Sequence, residues 1–166
     1  MKKIFTLCVV ALAALSMSAA APYKHSIGLV GGFGIGVQFK DMITDHFTII
    51  DEFGYFLCPM DQQNLTPTGG YQGAIDNLVL AYQADAAEGQ GIDLDWYVGG
   101  QLKIGYCVGD MGIFGVGAAA GIEAKMKNAP IAFSFDFRPG YGCFFTGRGA
   151  GHIFDYTFNL GVRYTF

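Results

Sequence analysis

Apolar and polar residues alternate along the end of the chain. From residue 154 to residue 166 every second residue is apolar, and the residues between them are polar or glycine. The apolar set is Phe154, Tyr156, Phe158, Leu160, Val162, Tyr164 and Phe166, and the other set is Asp155, Thr157, Asn159, Gly161, Arg163 and Thr165. Successive side chains of a β-strand point to opposite faces, so this period of two predicts a strand with one apolar and one polar face.

Four earlier segments have the same period. Their apolar positions are Leu78, Leu80 and Tyr82; Leu94, Trp96, Val98, Leu102, Ile104 and Tyr106; Phe114, Val116, Ile122 and Met126; and Ile131, Phe133, Phe135 and Phe137. The opposite faces carry Asn77, Gln83 and Asp85; Asp93, Asp95, Gln101 and Lys103; Glu123, Lys125 and Lys127; and Ser134, Asp136 and Arg138. Each segment is therefore also predicted to be a strand with one apolar face.

The segment from 47 to 57 alternates less cleanly. Its apolar positions are Phe47, Ile49, Phe53, Tyr55 and Leu57. Asp51 falls among them, and Glu52 falls on the opposite face. A β-bulge, which inserts one extra residue into a strand, would turn Asp51 inward. The sequence leaves the register of this strand open.

The composition is unusual for a soluble domain. Only 14% of the residues are charged, 15% are aromatic and 25 are glycine, and the mean hydropathy is positive. Beyond residue 20, no run of about 18 consecutive apolar residues provides a membrane-spanning helix. A closed β-barrel is the other architecture that satisfies its backbone hydrogen bonds in lipid. The sequence therefore predicts an all-β fold, an antiparallel up-and-down transmembrane β-barrel.

The connections between the predicted strands indicate how many strands there are. Short connections lie at residues 40–46, 86–91 and 127–130, and longer or glycine-rich ones at 58–76, 107–112 and 146–151. Outer-membrane barrels have short periplasmic turns and an even number of strands. Both conditions are met when the stretch 26–40 is divided at its glycine-rich centre, because glycine permits a sharp bend. One long first strand would give seven, so we predict eight strands.

The first 20 residues have the layout of a secretory signal peptide. Lys2 and Lys3 precede an apolar run from residue 4 to residue 15, and small residues follow it. This is the order of regions that such peptides share. We expect cleavage after Ala20, which leaves residues 21–166 as a single β-barrel domain. A short N-terminal helix in the core is the alternative interpretation.

Several stretches resemble a family of small outer-membrane β-barrel proteins of Gram-negative bacteria. The most specific are "KNAPIAFSFDFRPG" at 127–140 and the terminal "VRYTF" at 162–166. The resemblance implies an eight-stranded barrel in the outer membrane that contacts outer-membrane lipid. It also implies an assembly signal at Tyr164 and Phe166 that the barrel-assembly machinery recognises. It carries over no catalytic residue, and we expect a monomer.

The net charge and the positions of the cysteines and histidines limit which other partners and cofactors are expected. Removal of Lys2 and Lys3 changes the formal charge from −4 to −6 and leaves no basic patch, so nucleic acid is not an expected partner. The remaining cysteines are Cys58, Cys107 and Cys143, and the histidines are His25, His46 and His152. Three cysteines allow at most one disulfide. Their spacing matches no zinc pattern, so we expect no metal and no other cofactor.

Charged residues of both signs fall on faces that are predicted to point into the barrel. They are Glu52, Lys103, Glu123, Lys125, Asp136, Arg138 and Arg163. The interior of an eight-stranded barrel is narrow, and an unpaired charge in it carries a large desolvation penalty. We predict that these side chains form a polar network that fills the lumen.

Other functional classes remain as alternatives. A soluble secreted carrier of the lipocalin type would place its apolar face inward. A lipid-modifying membrane enzyme would need a nucleophile, a base and an orienting carboxylate, for which Ser134, His152 and Asp155 are the candidates. An open channel needs about 16 strands, so eight strands do not predict one. We also expect no enzymatic activity. The expected role is structural, surface-exposed or binding, and the long segment 58–76 is the first candidate for it.

Overall fold

The computed structural model describes residues 23–32, 34–61, 66–107, 110–147 and 149–166, and it leaves the side chains of residues 57–72 undescribed. The predicted signal peptide and its cleavage site lie outside the described residues. No helix in the described part of the chain is long and apolar enough to cross a membrane.

Eight β-strands contain most of the described residues. They are β1 (His25–Gly31), β2 (Gly34–Met42), β3 (Phe47–Asp61), β4 (Thr66–Glu88), β5 (Ile92–Cys107), β6 (Met111–Met126), β7 (Ile131–Thr146) and β8 (Gly149–Thr165). Each strand pairs with the next, and β8 pairs antiparallel with β1 to close the ring. The predicted eight-stranded, antiparallel, up-and-down β-barrel is confirmed, and the stretch 26–40 does contain two strands.

The two ends of the barrel differ. The start of β1, the end of β8 and the turns 43–46, 89–91 and 127–130 lie at one end, which we call the terminal end. The other ends of the strands lie at the opposite end. The strands are tilted relative to the barrel axis. Leu29 of β1 pairs directly with Val162 of β8. When the pairing is instead followed from Leu29 through β2 and each later strand in turn, it arrives at His152 of β8, which is ten residues from Val162. Barrels closed with such a stagger have strands tilted by about 35–45° and an interior that side chains fill.

The inner and outer surfaces of the wall have opposite polarity. Large apolar side chains such as Phe135 and Leu160 are exposed on the outside. The largest fully buried side chains include Arg138, Arg163 and Lys40, which point inward. On β7, exposed and buried residues alternate through most of the strand.

The register of β3 is regular from Phe47 to Phe56. Asp51 is exposed on the outward face, and Glu52 is buried on the inward face. The interpretation that a bulge turns Asp51 inward is therefore wrong. Asp51 pairs with Leu78 in an uninterrupted ladder, and the register shift of this strand pair lies between Pro59 and Asp61 instead.

The segment 58–76 is mostly strand, although its prolines and glycines predicted a long loop. β3 continues to Asp61, β4 begins at Thr66, and Pro59 pairs with Gly70 between them. In the described residues, β3 has no pairing with β2 beyond Phe56. Proline is tolerated on such an edge because one row of backbone hydrogen-bonding groups is unused there. The ladder between β3 and β4 therefore extends past the barrel wall.

Closure of the ring depends on a glycine in β1. A Cβ atom at Gly28 would lie 1.9 Å from the carbonyl oxygen of Val162 in β8, which is far inside van der Waals contact. The absence of a side chain at Gly28 therefore allows β1 and β8 to approach.

We expect the substitution Gly28→Ala to destabilise the refolded barrel by about 1–3 kcal/mol, the usual cost of forcing extra methyl groups into a packed site. Urea unfolding measures the change. Gly112→Ala is the matched control, because nothing lies within 4 Å of a Cβ atom at that position of β6. Equal effects of the two substitutions would show that the junction of β1 and β8 is not sterically limited.

Candidate functional site

Glu123 of β6 is the centre of a polar network inside the barrel. Its carboxylate forms an ion pair with Lys40 of β2 at 2.9 Å and accepts a hydrogen bond from Arg163 of β8. Tyr23, which precedes β1, donates its hydroxyl to the same carboxylate. These contacts join strands from different sides of the barrel across the lumen.

Tyr23 is buried at the terminal end of the barrel. Burial raises the pKa of its phenol to about 12. An unperturbed phenol is already protonated at physiological pH, so the shift only widens the pH range in which Tyr23 can donate. Tyr23, which precedes the first strand, thus helps to fill the terminal end of the barrel.

The network extends toward the terminal turns through Gln83 of β4. Lys40 donates to the side-chain oxygen of Gln83, and Gln83 donates to Asp95 of β5. Asp95 forms an ion pair with Lys125 at 2.8 Å. All four side chains are buried, so each charge in this branch is compensated within the protein.

A second branch is organised by Arg138 of β7. Its guanidinium lies 2.7 Å from a carboxylate oxygen of Glu52 and 2.7 Å from one of Asp136. Asp136 also accepts hydrogen bonds from Tyr97 at 2.7 Å and from Asn159 at 3.0 Å. The carboxylate of Asp136 therefore has partners on three strands.

Gln38 of β2 connects the two branches. Its amide nitrogen donates to Glu52 at 3.1 Å, and its amide oxygen accepts a hydrogen bond from Arg163. Arg163 also donates to Ser134 at 3.2 Å. The network is thus continuous from the terminal turns to the middle of the lumen.

The network is electrically balanced. Among the described side chains it contains the cations Lys40, Lys125, Arg138 and Arg163 and the carboxylates Glu52, Asp95, Glu123 and Asp136. Four positive and four negative formal charges cancel. Each of these side chains is less than a tenth exposed, a degree of burial that charged groups tolerate only when they are paired.

The seven side chains predicted for the lumen are all buried on the inward face of the barrel. Glu52, Glu123, Lys125, Asp136, Arg138 and Arg163 belong to the network. Lys103 lies apart and pairs with Asp155. The sequence analysis missed Gln38 and Lys40, although they alternate with the outward Val37 and Phe39 and so carried the same signal as the other strands.

A cavity of about 410 Å³ lies between the network and the opposite end of the barrel. Its polar lining includes Glu52, Asn77, Gln101, Lys103, Arg138 and Asp155. Its apolar lining includes Phe56, Ile113, Phe144 and Ile153, which pack against buried Cys107 and Met111. The apolar part of the lumen was not predicted, because the outward faces of the same strands are more apolar and dominate the sequence pattern.

The residues of the predicted assembly signal lie on the outer wall. Tyr164 and Phe166 are both exposed, with ring centroids 6.3 Å apart. The backbone of Phe166 exchanges two hydrogen bonds with His25, at 3.1 and 2.9 Å. The last residue is therefore part of the junction that closes the barrel.

The candidate nucleophile, base and carboxylate are not brought together. Ser134 contacts Arg163 in the lumen. His152 is exposed and contacts Cys143, with 3.3 Å between the ring nitrogen and the sulfur. Asp155 pairs with Lys103. These three residues therefore form no catalytic constellation with one another.

No family model matches the chain, and no curated protein or solved structure matches it. Within the described ranges, no group of three or more His, Cys, Asp or Glu residues is placed to hold a metal ion. The geometry of the barrel is therefore the basis on which a function is inferred.

We expect Glu123→Gln to destabilise the barrel by about 3–5 kcal/mol, because it leaves buried Lys40 and Arg163 without their counter-charge. Urea unfolding in lipid vesicles measures the loss.

Lys127→Met is the control for this prediction. It breaks the ion pair between Lys127 and Asp93, whose atoms are 2.9 Å apart but whose side chains are 38% and 20% exposed. Such a pair contributes about 0–1 kcal/mol. Similar losses from the two substitutions would contradict the central role of Glu123.

Proposed function

We propose that the protein is an integral outer-membrane β-barrel of a Gram-negative bacterium, with a structural, surface-exposed or binding role. The inverted polarity of the barrel carries this proposal. Phe135 and Leu160 represent an outer wall of exposed apolar side chains, and Arg138 and Arg163 represent a charged, buried interior. An apolar surface of this extent is unfavourable in water and matches the outward-facing apolar band of outer-membrane barrels.

The same polarity argues against the soluble carrier. A carrier of the lipocalin type holds an apolar ligand in its interior and presents polar residues to water. Here the centre of the lumen is occupied by ion pairs such as those of Glu123 with Lys40 and Arg163. The outward faces carry many aromatic residues instead, such as Phe135 and Phe158.

Two acidic residues interrupt the outer wall. Asp51 of β3 and Asp76 of β4 are both exposed. They lie diagonally across two neighbouring strands, because Asp51 pairs with Leu78 and Asp76 pairs with Phe53. The outer wall therefore carries a pair of acidic residues among its apolar side chains.

The filled lumen argues against ion conduction. Eight strands enclose a space that side chains fill, and wide channels require about 16. The continuous network from Lys125 to Asp136 occupies the lumen at the terminal end. The proposed partners are outer-membrane lipid and the barrel-assembly machinery, and the proposed oligomeric state is a monomer.

Membrane fractionation of expressing cells tests the proposal most directly. We expect the protein in the outer-membrane fraction, with detergent needed to extract it. Recovery in the soluble periplasmic or secreted fraction would support the carrier and contradict the membrane barrel.

Substitutions on one face of β7 test the position of the bilayer. Phe135→Arg near the middle of the proposed apolar band should cost about 2–4 kcal/mol in lipid vesicles, because a cation is placed against hydrocarbon. Phe145→Arg lies on the same face near the opposite end of the barrel and should cost about 0–1 kcal/mol. Equal costs would contradict the proposed band, and urea unfolding measures both.

The role of the terminal aromatic residue can be separated from packing. Phe166 and Phe158 are outward-facing phenylalanines of similar exposure, 58% and 52%. Replacing either by alanine should cost about as much stability in refolded protein, since similar ring areas are lost. In cells, Phe166→Ala should lower the amount in the outer membrane several-fold more than Phe158→Ala. Equal amounts would show that Phe166 acts only as a wall residue.

A further inference from the structure

The barrel wall has a gap above the hairpin of β1 and β2. The last pairing of β1 with β8 joins Gly31 to Leu160, and the first pairing of β2 with β3 joins Gly34 to Phe56. β8 begins at Gly149 and β3 continues to Asp61. In the described residues, no strand lies between these extensions of β8 and β3. The wall is therefore lower here than on the rest of the circumference.

The cavity in the lumen reaches this gap. Its lining includes Ile35 and Tyr55 on one side of the gap and Phe154 and Tyr156 on the other. All four side chains are exposed on the outer surface. Because they line the same space as the interior residue Gln101, the cavity extends from the lumen to the edges of the gap. Its outer mouth is flanked by apolar and aromatic side chains.

The inner part of the cavity contains polar atoms without partners. Gln101 is only 6% exposed, and neither its Nε2 nor its Oε1 has a hydrogen-bond partner among the described residues. The Oδ1 atom of Asn77, which also lines the cavity, is unpartnered in the same part of the structure. Leaving such buried groups unpaired is costly. Donors and acceptors that have no partner among the described residues therefore border the cavity.

The charged groups of the lining are already neutralised. Lys103 pairs with Asp155, and Arg138 pairs with Glu52. An ionised ligand would have to break one of these pairs or remain uncompensated in a buried site. An uncharged polar group meets the free amide of Gln101 without that cost.

We propose that the cavity binds an uncharged single-chain amphiphile, such as a monoacylglycerol, a fatty alcohol or a fatty amide. Its hydroxyl or amide group bonds to Gln101 and Asn77, and its hydrocarbon chain contacts Ile113 and Phe144 and leaves through the gap. A volume of about 410 Å³ lies within the usual range of small-molecule sites. Access from lipid rests on the proposed function, whereas the polar site in the lumen does not.

Isoleucine methyl groups report on each part of this site. Protein in dimyristoylphosphatidylcholine nanodiscs, labelled with ¹³C at isoleucine methyls, is titrated with 1-decanoylglycerol. Saturable NMR shifts are expected at Ile75, Ile113 and Ile153, which line the cavity, and at Ile35 in the gap. Ile122, which is outward-facing and away from the cavity, should not shift. Sodium decanoate and decyltrimethylammonium should bind at least about tenfold more weakly, because they carry charge.

Two substitutions in β6 provide a matched comparison. Ile113→Trp fills the cavity and should abolish the saturable shifts at Ile75 and Ile153. Ile122→Trp enlarges an outward side chain of the same strand and should leave them unchanged. Gln101→Leu should weaken decanoylglycerol binding about tenfold but leave the binding of decane unchanged.

The outcomes separate the site from the membrane proposal. Absence of saturable shifts, equal binding of decanoate, or unchanged binding in folded Ile113→Trp protein would overturn the site. Shifts at Ile113 without shifts at Ile35 would overturn the route through the gap. Failure of the protein to associate with nanodiscs would contradict the membrane barrel, and the same titration in buffer would then test the lumen site alone.

Discussion

The neutralisation of charge at Glu123 is the interaction on which the rest of this barrel depends. Ring closure pairs the backbone of β1 with that of β8, but it also encloses whatever side chains point inward. Arg163 comes from the closing strand and Lys40 from β2, and both reach Glu123 on β6. Because a buried charge is tolerated only with its partner in place, the ladder and the network stabilise one another: the strands position the charges, and the paired charges hold opposite walls together.

The lumen is divided into two chemically different parts as a consequence. At the terminal end, ion pairs and hydrogen bonds extend from Lys125 to Asp136. Toward the opposite end, inward positions are occupied by apolar residues such as Ile113 and Phe144. The cavity lies where these two parts meet, so one wall of it is polar and another is apolar. An interior with a single type of lining would not favour an amphiphilic ligand.

The fold was largely predictable because one signal, the period of two, governs it. The period predicted the strands, their apolar and polar faces, and the inward positions of residues such as Arg138 and Glu123. It could not predict which inward side chains form ion pairs, because pairs such as Lys125 with Asp95 depend on the stagger between strands. It also failed where two surfaces were both apolar, as at Ile113. The extension of β3 through Pro59 was missed because strand pairing overrides local propensity at an edge.

The early turn of the first hairpin explains why the wall has a gap. β1 ends at Gly31 and β2 begins at Gly34, whereas β3 continues to Asp61 and β8 begins at Gly149. The flanking strands β3 and β8 therefore extend past this hairpin without a neighbour between them in the described residues. Farther inside, Gln101 keeps both amide atoms unpartnered among the described residues, although the lumen elsewhere pairs its charges closely. A purely structural plug would gain stability from apolar side chains in both places. The opening in the wall and the unpaired amide behind it are therefore explained together by a ligand that enters through the first and bonds to the second.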